Sequence, residues 1–390
     1  VKYNHTYMCF FTNNILSTIK YNNVHNIYKK GIMMKASIII ALDSNVNFTR
    51  NFLYFLSKYK TIEDYEIIIT SDGNNDINYE KLVYEFLKNK CIYIKNKFKQ
   101  GYGAVNNIAA RHASTDILIF MNSDVILDDN CLEALIEPLS IDNIEAVQPL
   151  LIYPQNMTTQ STGHIFCQYY NTHLFENRPI RDSIVQQPDY RKAFTTALCS
   201  IKKKTFNLHG GFNEKYFNAW EGMELGLKIT LNGGKCYYNP LAKAFHIRGG
   251  GRSQYKIDER NQSAFFWSQW GNLITENLSD ILNKQLKELI SVNSSNYILI
   301  NFSCIRDFEY IQNKLLINIS DAVQYTELAG YSSIEFFKTL PYFWLSVKNN
   351  LIYLANNFSV ITNNRLWFEM RKNNKDLIID LSGNCLLCQS

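Results

Sequence analysis

No stretch of about twenty apolar residues occurs in the chain, so no membrane span is expected. The nearest approach is IEFFKTLPYFWLSVKNNLIYLA (334–355), which Lys338, Pro341 and Lys348 interrupt. It reads as a core helix or as one lying in a membrane interface. No secretory leader is evident either: YMCFFTNNILSTI is apolar but has Asn in its middle and no cleavage site. Residues 1–33 leave open a natural start at Met33 or Met34. Basic residues do not cluster. The net charge is +5, with Lys and Arg dispersed among acids, and a nucleic-acid partner would want a stripe. Such a surface is read as solvated; its alternative is a mild attraction to anionic headgroups or phosphorylated substrates. The nine cysteines are odd in number and scattered, mostly inside apolar runs. That argues against a disulfide scaffold and for reduced thiols in a cytoplasmic protein, with peripheral contact at a membrane left open. Cys385 and Cys388 have no second pair to complete a zinc site. No internal repeat is present.

What is there is the composition of a folded protein. The 390 residues are 46% apolar and 14% aromatic, enough for a sizeable core and for roughly two to three domains. The runs ASIIIAL (36–42), YEIIITSDG (65–73), CIYIKN (91–96), DILIFMNSD (116–124) and EAVQPLLIY (145–153) read as buried strands. Between them Phe48–Tyr59, YEKLVYEFLKN (79–89), GYGAVNNIAARHAS (101–114) and DDNCLEALIEPL (128–139) have helical spacing, the last opening on capping Asp residues. This alternation predicts an α/β fold with a doubly wound, mainly parallel sheet. Such sheets bind ligands beyond the carboxyl ends of their strands. Three polar clusters fall there: ALDSN, TSDGNND and NSD. Asp124, a bare carboxylate between two apolar runs in ILIFMNSDVIL, therefore sits where a ligand belongs. The pattern weakens over 155–200, which reads as a long substrate-facing segment. Residues 256–290 are helical, and 291–390 carry short apolar runs of a small additional α/β module; residues 359–380 suit a strand, a turn and a strand.

Four stretches in order resemble the family 2 glycosyltransferases of GT-A fold: ASIIIALDSN (36–45), YEIIITSDGNND (65–76), GYGAVNNIAARHASTDILIFMNSDV (101–125) and GGFNEKYFNAWEGMELGLKITLNGGKCYYNPLAKAFH (210–246). The resemblance covers about residues 36–255, leaving 1–35 as an N-terminal extension, 256–290 as a helical connector and 291–390 as a module of unknown role. It implies an inverting transfer from a UDP-sugar, or another nucleotide-sugar, to a hydroxyl of a glycan, lipid-linked or protein acceptor. Oligomerisation is left open.

The chemistry then needs a divalent ion, Mn2+ or Mg2+, at the leaving diphosphate. The resemblance makes Asp124 its first ligand and His246 a candidate ligand or diphosphate contact. Asn122 stands where the family often has Asp, and is read as a contact to ribose or to metal-bound water. On the nucleotide side the resemblance places Asp72 against the base, although the family's most regular Asp aligns with Ser71. Asp43 and Asn107 join this side, while Asp76 is read as a turn stabiliser. Gly249, Gly250 and Gly251, with Arg248 or Arg252, are expected to cradle phosphate as a mobile lid. The general base is expected from Glu221, supported by Glu224; Gly222 occupies the family's usual Asp position. Trp220 is placed to stack on a sugar, or else packs in the core. Lys202, Lys203 and Lys204 form a solvated face or a contact to a phosphate-bearing acceptor. The rival from another class is a non-catalytic GT-A module. A nucleotidyltransferase would want a Gly-rich loop with Arg and Lys after the first strand, and ALDSNVNFTRNF has none. A glycosidase could use paired carboxylates, but the alternating pattern does not suggest one.

Overall fold

The computed structural model describes residues 6–7, 17–20, 34–42, 46–73, 79–88, 90–167, 169–247, 259–290, 296–301, 303–305, 308–324, 350–356 and 375–387. Asp43, Asp76, Arg248, Gly249, Gly250, Gly251, Arg252 and Cys388 lie outside the described residues, as do most of 334–355 and 359–380. The strands are β1 Thr6–Tyr7, β2 Ser17–Lys20, β3 Ser37–Leu42, β4 Glu66–Asp72, β5 Ile92–Asn96, β6 Ile117–Asn122, β7 Val125–Leu127, β8 Ile144–Tyr153, β9 Thr158–Ser161, β10 His164–Cys167, β11 Tyr170–His173, β12 Asp189–Arg191, β13 Leu198–Lys202, β14 Lys235–His246, β15 Asn296–Asn301, β16 Asn318–Gln324, β17 Asn350–Ala355, β18 Leu377–Asp380 and β19 Cys385–Leu387. The α-helices, numbered in chain order, are α1 Val46–Lys58, α2 Tyr79–Leu87, α3 Tyr102–His112, α4 Cys131–Ile136, α5 Lys203–Leu208, α6 Glu221–Leu231, α7 Glu259–Trp270, α8 Leu278–Leu289 and α9 Glu309–Gln312.

The residues divide between two compact units. The first, comprising residues up to Gly163 and Ile180–Ser268, is built on a 12-stranded sheet in the order β1-β2-β5-β4-β3-β6-β13-β8-β14-β12, with β7 on β14 and β9 on β8. The isoleucine run of β3 explains its centre. Ile38 and Ile40 point into a core with Phe52, Leu53, Leu82 and Leu132 from α1, α2 and α4. Ile39 points into a second core with Ile108, Phe206, Leu225 and Ile229 from α3, α5 and α6. A strand with helices on both faces has no polar side, so it reads as a continuous apolar run. Each such fully buried Ile contributes about 1.5–3 kcal/mol.

The strands β5, β4, β3 and β6 run parallel to one another, and β2 pairs antiparallel with β5. The sheet then turns mixed, because β13 runs antiparallel to both β6 and β8. Leu42 is in register with Ser71, and Ala41 with Asn122, so the polar ends of three strands meet on one edge. Two local expectations change. No Asp caps α4: its N-cap is Asn130 in a left-handed conformation with no side-chain cap bond, and the carbonyl of Asp128 accepts from Cys131 N instead. Residues 350–355 form strand β17 rather than helix, since Leu351–Ala355 are buried between parallel partners β15 and β18.

The second unit comprises His164–Pro179 and residues from Gln269. Its five-stranded sheet has the order β16-β15-β17-β18-β19, parallel except for β19. The boundaries expected at 255 and 290 thus move to Ser268, and the hairpin β10–β11 joins this unit. The reason is backbone pairing: Phe166 N donates to Asn277 Oδ1 at 2.8 Å and Phe175 N to the Ser382 carbonyl at 2.8 Å. Among the described residues all seven cysteines are free thiols, and no helix is long and apolar enough to cross a membrane.

Helix α6 lies close against the segment before β13. A Cβ on Gly226 would stand 2.6 Å from Ala193 Cα. Gly226→Ala is expected to lower stability by about 1–3 kcal/mol through overpacking, read as a shift of the urea midpoint with unchanged slope.

Candidate functional site

Asp124 follows β6 and precedes β7. Antiparallel pairing sets Val125 opposite His246, the last residue of β14, and Ile247 N donates to the Asp124 carbonyl at 3.0 Å. The two side chains therefore meet: His246 Nε2 lies 3.1 Å from Asp124 Oδ1. On the ring's other side Nδ1 is 2.6 Å from Gln160 Oε1, while Gln160 Nε2 donates to the His246 carbonyl at 3.2 Å. Among the described residues no three or more His, Cys, Asp or Glu side chains converge. A two-donor pair fits an ion that takes its other ligands from phosphate and water, as Mg2+ and Mn2+ do. Asn122, half-buried at the same strand end, donates its backbone N–H to the Ala197 carbonyl at 2.9 Å. Sequence reasoning missed Gln160, which sits in a weakly patterned stretch without a motif.

The segment before β13 also seats the acidic helix. Tyr102 Oη donates to the Thr196 carbonyl at 2.9 Å. A Cβ on Gly222 would meet Thr196 Cγ2 at 2.7 Å and the Phe194 carbonyl at 2.9 Å. Gly222 thus leaves no room for the family's Asp, because α6 lies directly on this segment. Ala219 and Trp220 both adopt φ of 74°, a strained conformation for residues with side chains, and the next residue is Glu221. The Trp220 ring packs 4.7 Å from that of Phe266 in α7, so the core-packing alternative describes the contact it makes.

Glu221 and Glu224 share a helix face but differ in state. Glu221 is 1% exposed, and neither carboxyl oxygen has a hydrogen-bond partner among the described residues. Burial lifts its pKa well above the ordinary 4.5, and the charge on Glu224 adds to this. For Glu224 burial acts in the same sense, but Lys228, Tyr216 and Asn213 outweigh it and hold its carboxyl below the ordinary value. Lys228 Nζ lies 2.8 Å from Glu224 Oε1, and Asn213 Nδ2 is 3.1 Å from both oxygens.

Three residues expected on the nucleotide side have other tasks. Asp72 accepts from Gln100 N at 2.7 Å and Gly101 N at 3.0 Å, so its carboxylate holds the loop before α3. Asn107 donates to the Phe212 carbonyl at 2.9 Å and to Glu214 Oε1 at 3.0 Å, and accepts from Phe212 N at 2.9 Å. Both its amide hydrogens are engaged, and it clamps the 212–214 loop. Ser71 is buried beside Tyr93. Two of the three lysines are tethered: Lys202 lies 3.4 Å from Glu145, and Lys203 donates to the Ala113 carbonyl at 2.6 Å, while Lys204 is exposed.

The first unit is thus an α/β domain with a carboxylate and a histidine paired beyond the ends of its parallel strands. Residues 37–206 match the family model described as Glycosyl transferase family 2. The O-antigen biosynthesis protein RfbC of Myxococcus xanthus is 22% identical over 233 residues, 58% of this chain and 18% of that protein. The inactive polypeptide N-acetylgalactosaminyltransferase-like protein 5 of Macaca fascicularis is 27% identical over 195 residues, 47% of this chain and 44% of that one. The crystal structure of GalNAc-T7 with UDP, GalNAc and Mn2+ superposes with a TM-score of 0.47 at 17% identity, over 59% of this chain and 45% of that chain. The chain spans less than half the length of each.

Two outcomes follow from the acidic helix. Glu221 keeps its proton in the folded state at pH values where the unfolded chain has released it. Its contribution to stability is full below pH 4.5 and falls as pH rises through the window up to its raised folded value, at about 1.4 kcal/mol per pH unit for one proton. Glu221→Gln should remove this alkaline-going loss, seen as a flatter profile of unfolding free energy against pH. Gly222→Asp, which restores the family residue, should destabilise the domain by about 1–3 kcal/mol and leave turnover no higher, as measured by thermal unfolding and product formation.

Proposed function

We propose that the chain is an inverting, metal-dependent glycosyltransferase that moves a sugar from a nucleotide-sugar, a UDP-sugar first among them, to a hydroxyl of a glycan, lipid-linked or protein acceptor. The observation that carries this reading is the Asp124–His246 pair, 3.1 Å apart at the carboxyl edge of the parallel strands. A divalent cation held there would supply charge neutralisation for the departing diphosphate. Asp124 offers it an oxygen and His246 a nitrogen; a nitrogen donor suits Mn2+ better than Mg2+, which holds more strictly to oxygen. Asn122 and the lid with Arg252 remain its proposed neighbours on the nucleotide side, with Asp43 on the first loop. The uridine preference is a proposal from the resemblance, since Asp72 is turned to its own backbone.

In the transfer, the acceptor oxygen attacks the anomeric carbon as the bond to the diphosphate oxygen breaks, and the hydroxyl proton passes to a carboxylate. Glu221 is the proposed acceptor in its ionised form, while Glu224, held as a weakly basic anion by Lys228 and Asn213, supports it. Burial and the charge of Glu224 raise the proton affinity of Glu221, so the acceptor is a strong base once ionised.

The second reading, a binding module without turnover, has Gly222 and the inactive relative in its favour. Turnover of UDP-sugars with Mn2+ separates the two. Asp124→Ala should lower kcat/KM by about a thousandfold and Glu221→Gln by about 10²–10⁴, with wild-type activity rising toward alkaline pH. Binding of UDP-sugar without product across glycan and lipid-linked acceptors would favour the module.

A further inference from the structure

We propose that Gln160 is a positioning residue that fixes the tautomer of His246 and presents its Nε2 lone pair to the ion-binding position beside Asp124. The proposal rests on the metal-dependent reading above. Its starting point is a break in strand register. In the β8–β9 pair Ile152 faces Thr159, yet Leu151 faces Ser161. Gln160 is the extra residue, a β-bulge, and a bulge re-aims a side chain that a regular ladder would hold elsewhere. The residue is 2% exposed, so its amide is placed by packing and not by solvent.

Both ends of that amide act on one residue. The His246 carbonyl, 3.2 Å from Gln160 Nε2, can only accept, so the NH2 end must face it. The oxygen end must then face Nδ1, 2.6 Å away. An oxygen at that distance requires a proton on Nδ1. The reverse amide orientation would set two oxygens against each other. In the neutral ring the lone pair is consequently on Nε2, the atom 3.1 Å from Asp124 Oδ1. A carboxylate oxygen and an imidazole lone pair facing each other repel until a metal ion lies between them or a proton joins Nε2. Gln160 thus does for His246 what outer-shell partners do for metal-bound histidines, setting tautomer and ring orientation together.

The test uses the full chain with Mn2+ alone and no nucleotide. Mn2+ affinity is read from the EPR signal of the free ion, and the His246 tautomer of the neutral ring from histidine 15N shifts across a pH titration. Gln160→Met keeps the length and removes the acceptor. It should weaken Mn2+ binding about 10–100-fold and move the neutral ring toward the Nε2–H form. Gln160→Glu restores the acceptor at Nδ1 and should bind Mn2+ more tightly than the Met variant. Wild-type Mn2+ affinity in Gln160→Met, or an Nε2–H ring in the wild-type protein, overturns the proposal. A wild-type ring in the Nδ1–H form that binds no Mn2+ sinks the metal reading while leaving the tautomer assignment standing.

Discussion

The site depends on one piece of strand pairing. Three residues of β7, Val125–Leu127, hydrogen-bond antiparallel to the end of β14. Without that short pairing Asp124 would be the end of one loop and His246 the start of another. With it, two side chains more than a hundred positions apart in sequence share an edge. Each interaction is modest: a net backbone hydrogen bond stabilises by about 0.5–1.5 kcal/mol. Their placement beyond the ends of β3, β4 and β6 supplies the function, because there the buried strands end and polar groups can meet a charged ligand.

The acidic helix shows how packing reshapes chemistry. Gly222 and Gly226 let α6 lie against Ala193–Thr196 with backbone close to backbone. The same closeness denies the chain an Asp at position 222. It also drives the Glu221 carboxyl into the interior, where no other side chain among the described residues hydrogen-bonds to it. Two glutamates three residues apart thus differ in protonation through their surroundings: one has an ammonium and an amide, the other has neither. Such a split in state between neighbouring carboxyls is a common arrangement at proton-transfer sites.

Much of the first unit was legible because its signals are local. Isoleucine runs doubly covered by helices, strand ends rich in Asp and Asn, and a His closing an apolar run each reflect a constraint within a few residues. Asp124 and His246 were readable as a pair only through the resemblance, which supplied the distance in sequence that no local pattern could. The backbone contacts of Asn107 and Asp72 were not legible, because a polar residue near a strand end looks the same whether it faces a ligand or a backbone amide. Gln160 left no signal, since a bulge depends on the partner strand's register. The hairpin β10–β11 belongs to the other unit for a similar reason: its partner, Asn277, comes from distant sequence.

The glycine loop has a wider implication. Asp72 holds Gly101, a Cβ on Gly101 would stand 2.4 Å from the Phe217 carbonyl, Tyr102 N donates to that same carbonyl, and Asn107 grips Phe212. The loop before α3 and the 212–217 segment are therefore bolted together. Anyone building chimeras from this domain to change its specificity would have to transplant residues 100–107 together with 205–231, for neither block will seat in a foreign scaffold without its mate.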